Sequence, residues 1–369
     1  MNYSTDGGWS NNYNGPVPPH FVHPIYWKLE KRGIKAVSTA AALAILFYIL
    51  AAGVLVGAIQ VIFIVLEAIP SFNYNTFAEI WNSPDFQYAF DIVYTLVTIG
   101  IPFLIAGRVL RKKGLLTEIP MDKPKNPKKL PLVVMGAFGL CLLGNIITSY
   151  IDMLIQMLTG YSIAMPDIPA PSKTPAGILI FYIGIAVVPA LVEEMAFRGI
   201  ILTALRRFGD GFAIICTAIL FGLMHCNLQQ IPFAILAGLF IGYAVVITNS
   251  LWTGIIIHFL NNAFSATVTL VGEFYGYESS EMMAANTIFY ALIAIGVACA
   301  AMYHKTSKPK LGKSPLVNQG KGFYGMMPMN SARVTQKDLY KSFFLSGSMI
   351  VAFLAVVYQT VTVMITLAG

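Results

Sequence analysis

A chain can cross lipid only where its backbone N–H and C=O groups pair within the crossing structure, so helices and closed barrels are the two solutions. This sequence repeats one motif above all others: long apolar runs separated by short polar stretches. Nine such runs are read, at 36–68, 88–107, 131–158, 176–207, 212–227, 231–248, 251–271, 284–303 and 343–367. A helical crossing takes about 20 residues for a lipid core of roughly 30 Å, and these runs approach or exceed that length. Charged residues make up only 11% of the chain, against roughly 25% in a soluble domain. The expected fold class is an all-α polytopic membrane protein with about nine transmembrane helices.

The net charge of +7 is not a nucleic-acid signal, because the basic residues lie between the apolar runs. Lys28, Lys31, Arg32 and Lys35 precede the first run, and the stretch 71–87 has no Lys or Arg. The next stretch carries Arg108, Arg111, Lys112, Lys113, Lys123, Lys125, Lys128 and Lys129, whereas 159–175 has only Lys173. Arg206 and Arg207 follow, 272–283 is acidic, and 304–342 is basic again. Basic loops mark the cytoplasmic side. The alternation predicts an integral cell-membrane protein with nine spans, a cytoplasmic N-terminus and the bilayer as its surroundings.

The predicted organisation is a disordered cytoplasmic leader over 1–35, N-terminal helices over 36–175 and a catalytic helical bundle over 176–303, built from spans 4 to 7. A basic, flexible cytoplasmic linker over 304–342 and an accessory C-terminal helix over 343–369 complete the chain. Cys141, Cys216, Cys226 and Cys299 all lie in apolar runs, with neither metal-pair nor disulfide-framework spacing. They read as small buried hydrophobes.

Ionisable residues inside spans are costly and mark function by default. Here they cluster. Glu193, Glu194 and Arg198 lie in the fourth run, His225 in the fifth, and His258, Asn261 and Asn262 in the seventh, with Asp91 an outlier in the second. Glu194 and Arg198 have the i, i+4 spacing of a favourable helix pair. Glu193 is about 100° around the helix from Glu194 and needs another partner, a proton, a metal or a water. His258 and Asn262 project from one helix face. Ser265 is poorly placed to be a nucleophile activated by His258.

The turn at 208–211 makes the fourth and fifth runs antiparallel neighbours. Counted from it at about 1.5 Å per residue, Glu193 and His225 both lie about 20 Å from the turn and so at one level, at a depth below the surface of less than about 20 Å. Pro189 is where the long fourth run is expected to bend. His258 and Asn262 approach the same layer from the turn at Asn249. A carboxylate and an imidazole facing one water form a general-base arrangement, and amide and imidazole donors can stabilise a tetrahedral oxyanion. These are the parts needed to hydrolyse a peptide bond. Zinc is a minor alternative, because Glu with two His suits it, although the HExxH spacing is missing.

The runs EEMAFR (Glu193 to Arg198), FGLMH (Phe221 to His225) and HFLNN (His258 to Asn262) resemble the EExxxR, FxxxH and HxxxN motifs of the CAAX-protease and bacteriocin-processing family of intramembrane glutamic endopeptidases. The resemblance covers roughly 176–270. It implies that Glu193 and His225 activate water, that His258 and Asn262 form the oxyanion site, and that Arg198 positions the acidic pair. It further implies no cofactor, and a peptide or membrane-protein substrate. Bacterial relatives in that family are tied to peptide maturation, bacteriocin self-immunity or surface anchoring, and the style of the motifs reads as bacterial. Two readings of other classes stand beside this one: a non-catalytic peptide-binding or bacteriocin-immunity protein, and a proton relay or transporter using Glu193 and His225.

Overall fold

The computed structural model describes residues 24–69, 71–160, 169–314, 316 and 334–368, and every regular element among them is helical. In chain order these are α1 (Pro24–Glu67), α2 (Tyr74–Asn82), α3 (Pro84–Lys112) and α4 (Leu130–Thr159). There follow α5 (Pro175–Arg206), α6 (Asp210–Met224), α7 (Gln230–Thr248) and α8 (Leu251–Tyr275). The last are α9 (Ser280–Ser307), α10 (Gln336–Phe344) and α11 (Gly347–Ala368). Helix starts carry the expected chemistry. Thr174 caps α5 ahead of Pro175 by accepting from the Gly177 N–H, and Ser279 caps α9 by accepting from the Met282 N–H.

Eight of the described helices are long and apolar enough to cross a membrane, and the protein is an integral multi-pass membrane protein. The fifth expected span is the exception. Its helix, α6, has 15 residues, about 22 Å, which is short of a roughly 30 Å core. It stops because Cys226 adopts the left-handed conformation, φ +48, and because the Asn227 side chain accepts from the Gln229 and Gln230 N–H groups at the start of α7.

The predicted boundaries shift at two places. Residues 24–35 are not a disordered leader but the first turns of a 44-residue α1. They pack on the rest of the protein, with Glu30 accepting from Arg207 at 2.9 Å. The part of the predicted leader over 1–23 lies outside the described residues. The linker is not uniformly flexible either. Asp210 and Gly312 exchange two bonds, Asp210 N–H to Gly312 O at 2.9 Å and Gly312 N–H to Asp210 Oδ2 at 2.7 Å. Residues 336–342 belong to α10, whose Leu339 and Phe343 are fully buried.

Two apolar cores flank the centre. One joins α1, α3, α5, α6, α10 and α11 through residues such as Ile34, Phe103, Phe197, Phe212 and Phe343. The other joins α4, α7, α8 and α9 through Phe138, Ile241, Ile257 and Tyr303. In the second, α4 and α9 touch backbone to backbone: a Cβ on Gly139 would stand 2.6 Å from the Gly296 Cα. Close approach at small residues is how helices associate where lipid removes the hydrophobic drive. The polar residues of the fourth, fifth and seventh runs meet where α5, α6 and α8 adjoin, between these cores.

Candidate active site

The local backbone of α5 sets the site. Pro189 has no N–H to give the carbonyl of Ile185 four residues earlier. Around it the helix is π-wound over Ile183–Val187, and again over Met195–Leu202. Such insertions are frequent at functional sites, because they re-aim side chains within an otherwise regular helix. The Ile185 carbonyl is met from α8 instead, by Asn262 Nδ2 at 3.1 Å.

Glu194 and Arg198 are fully buried. Glu194 Oε1 accepts from Arg198 Nη1 at 2.7 Å and pairs with His258 Nδ1 at 2.9 Å. Arg198 also reaches the Gly238 carbonyl on α7 at 3.4 Å and lies 4.4 Å over the Phe221 ring. A buried ion pair holds only when such extra contacts offset its desolvation. Among the described residues, Glu194 Oε2 and Arg198 Nε have no hydrogen-bond partner. Room for Oε2 exists because α8 carries a glycine opposite it: a Cβ on Gly254 would stand 2.8 Å away.

Glu193 projects separately, as its angular offset predicts. Its side chain is 12% exposed, and its Oε2 lies 3.9 Å from His258 Nε2, beyond a hydrogen bond. His258 therefore sits between the two acids, a contact that sequence spacing did not reveal. His225 is the C-cap of α6 rather than part of its last turn. Its Nδ1 lies 2.8 Å from the Phe221 carbonyl. A carbonyl can only accept, so Nδ1 carries a hydrogen, and in the neutral ring Nε2 is then the acceptor.

Phe221 organises the rest. Its ring meets His225 at 5.1 Å and His258 at 5.9 Å, both edge to face, beneath the Arg198 guanidinium. Sequence reasoning used Phe221 only as motif spacing and missed this role, as it missed Gly254. The signal for Gly254 was its position one turn before His258. Glu193, Glu194, Arg198 and His258 thus form one contact network, and His225 joins it through Phe221. Asn262 stands one turn beyond His258, with its bonds running to Ile185 and Asn261.

The zinc alternative can be set against these donors. Among the described residues, no group of three or more His, Cys, Asp or Glu is arranged to hold a metal ion. His258 Nδ1 pairs with Glu194, a contact that a metal-binding imidazole also makes to a carboxylate through its second nitrogen.

Residues 175–264 match the Rce1-like family. Its model is described as type II CAAX prenyl endopeptidase Rce1-like. The match agrees with the three motifs and encloses all of them, from the start of α5 into α8. No curated protein and no solved structure matched the chain. The Rce1-like segment supports a protease of the CAAX type acting in a membrane. Helices α1 to α4 and α9 to α11 lie outside it.

Proposed function

We propose that the protein is an intramembrane endopeptidase that hydrolyses a peptide bond in a membrane-associated peptide or protein through a water activated by Glu193 and His225. The observation that carries this reading is the division of labour between the adjacent acids. Glu194 is spent on Arg198 and His258, whereas Glu193 is partly exposed and forms no hydrogen bond with either. The Nδ1–H tautomer of His225 leaves Nε2 as a second proton acceptor.

In the proposed reaction a proton passes from water to the Glu193 and His225 pair, and the hydroxide oxygen bonds to the substrate carbonyl carbon. The carbonyl π electrons move to oxygen. In this scheme a donor from His258 Nε2 and one N–H of Asn262 face that oxyanion. On collapse the C–N bond breaks, the stored proton goes to the leaving amine, and a carboxyl product forms. Glu194 and Arg198 act as positioning residues for His258. No metal or other cofactor enters this scheme. The N-terminus and the basic loops are assigned to the cytoplasm by their charge.

The test is cleavage of a peptide library by purified protein in detergent, comparing the unchanged chain with Glu193→Gln. General-base losses typically run about 10²- to 10⁴-fold, and a fall in kcat/KM of at least 100-fold is expected. Undiminished cleavage by Glu193→Gln overturns the assignment.

A further inference from the structure

Asn261 has no part in the reaction scheme. It lies three residues after His258 on α8, so the two side chains are neighbours on the helix surface, and it is 7% exposed. Its Nδ2 donates to Asn262 Oδ1 at 3.2 Å. Asn262 Nδ2 in turn donates to the Ile185 carbonyl that Pro189 cannot serve. This relay fixes the direction of the Asn262 amide. With Oδ1 occupied by Asn261, the nitrogen turns toward α5, where one hydrogen meets Ile185 and the second stays free for the site. The opposite orientation would set nitrogen against nitrogen and carbonyl against carbonyl.

The other end of Asn261 is unpaired. Its Oδ1 is buried and has no hydrogen-bond partner among the described residues. An empty buried acceptor carries a stability penalty that an apolar side chain at the same place would avoid. An extended peptide entering lipid has the complementary deficit, because its backbone N–H groups lose water and must find acceptors. We infer that Asn261 is a substrate-positioning residue whose Nδ2 locks the Asn262 amide and whose Oδ1 accepts a backbone N–H of the bound peptide. This rests on the endopeptidase reading of the site.

The probe is a peptide that the unchanged chain cleaves, together with a series in which each backbone N–H in turn is replaced by an ester oxygen. Asn261→Ala removes both contacts and is expected to lower kcat/KM for the parent peptide by more than the roughly tenfold effect of one buried hydrogen bond. One ester position should cost the unchanged chain about tenfold and leave Asn261→Ala nearly unaffected. Asn261→Asp keeps the acceptor but loses the donor, so it should lower kcat while retaining that ester sensitivity. Thermal unfolding of each variant in detergent separates these effects from misfolding. If every ester affects the unchanged chain and Asn261→Ala alike, the proposal is overturned. A loss in Asn261→Ala that no ester reproduces places water on Oδ1 and overturns it too. The endopeptidase reading fails differently, by unchanged cleavage in Glu193→Gln or by no cleavage of any peptide.

Discussion

Each oxygen of Glu194 has a different surrounding. Oε1 is shared between Arg198 and His258, and Oε2 fills the space left by Gly254 on α8. That space is also bounded by Val245, whose Cγ2 would lie 2.7 Å from a Cβ on residue 254. Gly254→Ala therefore cannot be absorbed by one flexible tip, and either α8 moves away or Glu194 does. Overpacking of this kind costs about 1–3 kcal/mol. Because Glu194 holds His258, kcat should fall at least tenfold with a smaller change in KM. Kinetics and thermal unfolding of the purified variant check both effects, and wild-type values for both would refute this account of the pocket. The sequence marks Glu194 and Arg198 as a pair because their spacing is local. Gly254 and the Phe221 ring act across helices, and no spacing within one run reports them.

Helix α10 shows the same limit at the scale of an element. The linker read as one basic segment, yet TQKD at its end is a reciprocal cap. Thr335 N–H and Oγ1 both donate to Asp338 Oδ2, at 2.8 and 2.6 Å, and the Thr335 oxygen accepts from the Asp338 N–H. The Thr335 hydroxyl, more than any other group, holds the Asp338 carboxyl below its usual range. A folded-state pKa depressed in this way stabilises α10 above the ordinary Asp value of about 3.9 and loses that contribution as pH falls through the lower folded value. The buried face of α10 should feel it, since Ser38 of α1 donates to the Phe343 carbonyl at 2.6 Å. Asp338→Asn should speed amide hydrogen exchange in α10 at pH about 6. Below the folded value, where Asp338 is itself neutral, variant and wild type should converge. A difference of equal size at both pH values would show that charge is not what the cap uses. Apolar periodicity gave no warning of this helix, because its two anchors, Leu339 and Phe343, make too short a pattern to stand out from a loop.

For the whole molecule, the number of crossings depends on the shortest helix. Eight long helices taken alone would return the chain to the side on which it began. The contacts say otherwise, because the basic loops meet one another at one end of the bundle. Lys125 N–H donates to Thr248 O and Leu251 N–H to Pro120 O, both at 2.7 Å. Arg206 pairs with Asp210 and Asn249, and Lys129 reaches Thr306 and Ser307. Helix α6 leaves that end and α7 returns to it, so the two form one hairpin whose tip carries His225. Charge alternation reads this order from sequence because it counts returns to the basic side. It cannot report how deep the hairpin goes, since a full crossing and a shallower one leave the same loops behind. At about 22 Å, α6 is shorter than a roughly 30 Å lipid core, and the proposed reading places His225 within that layer. Single cysteines placed in a background free of the native four can map this. A membrane-impermeant thiol reagent on intact cells should label Tyr277→Cys, and should label Lys113→Cys only after permeabilisation. Leu228→Cys, at the hairpin tip, should react more slowly than both in detergent-free membranes opened to the reagent on each side. Labelling of positions 113 and 277 from the same side would break the alternating order. Rapid labelling of 228 from outside would turn the hairpin into a full crossing and move the proposed catalytic layer to the surface.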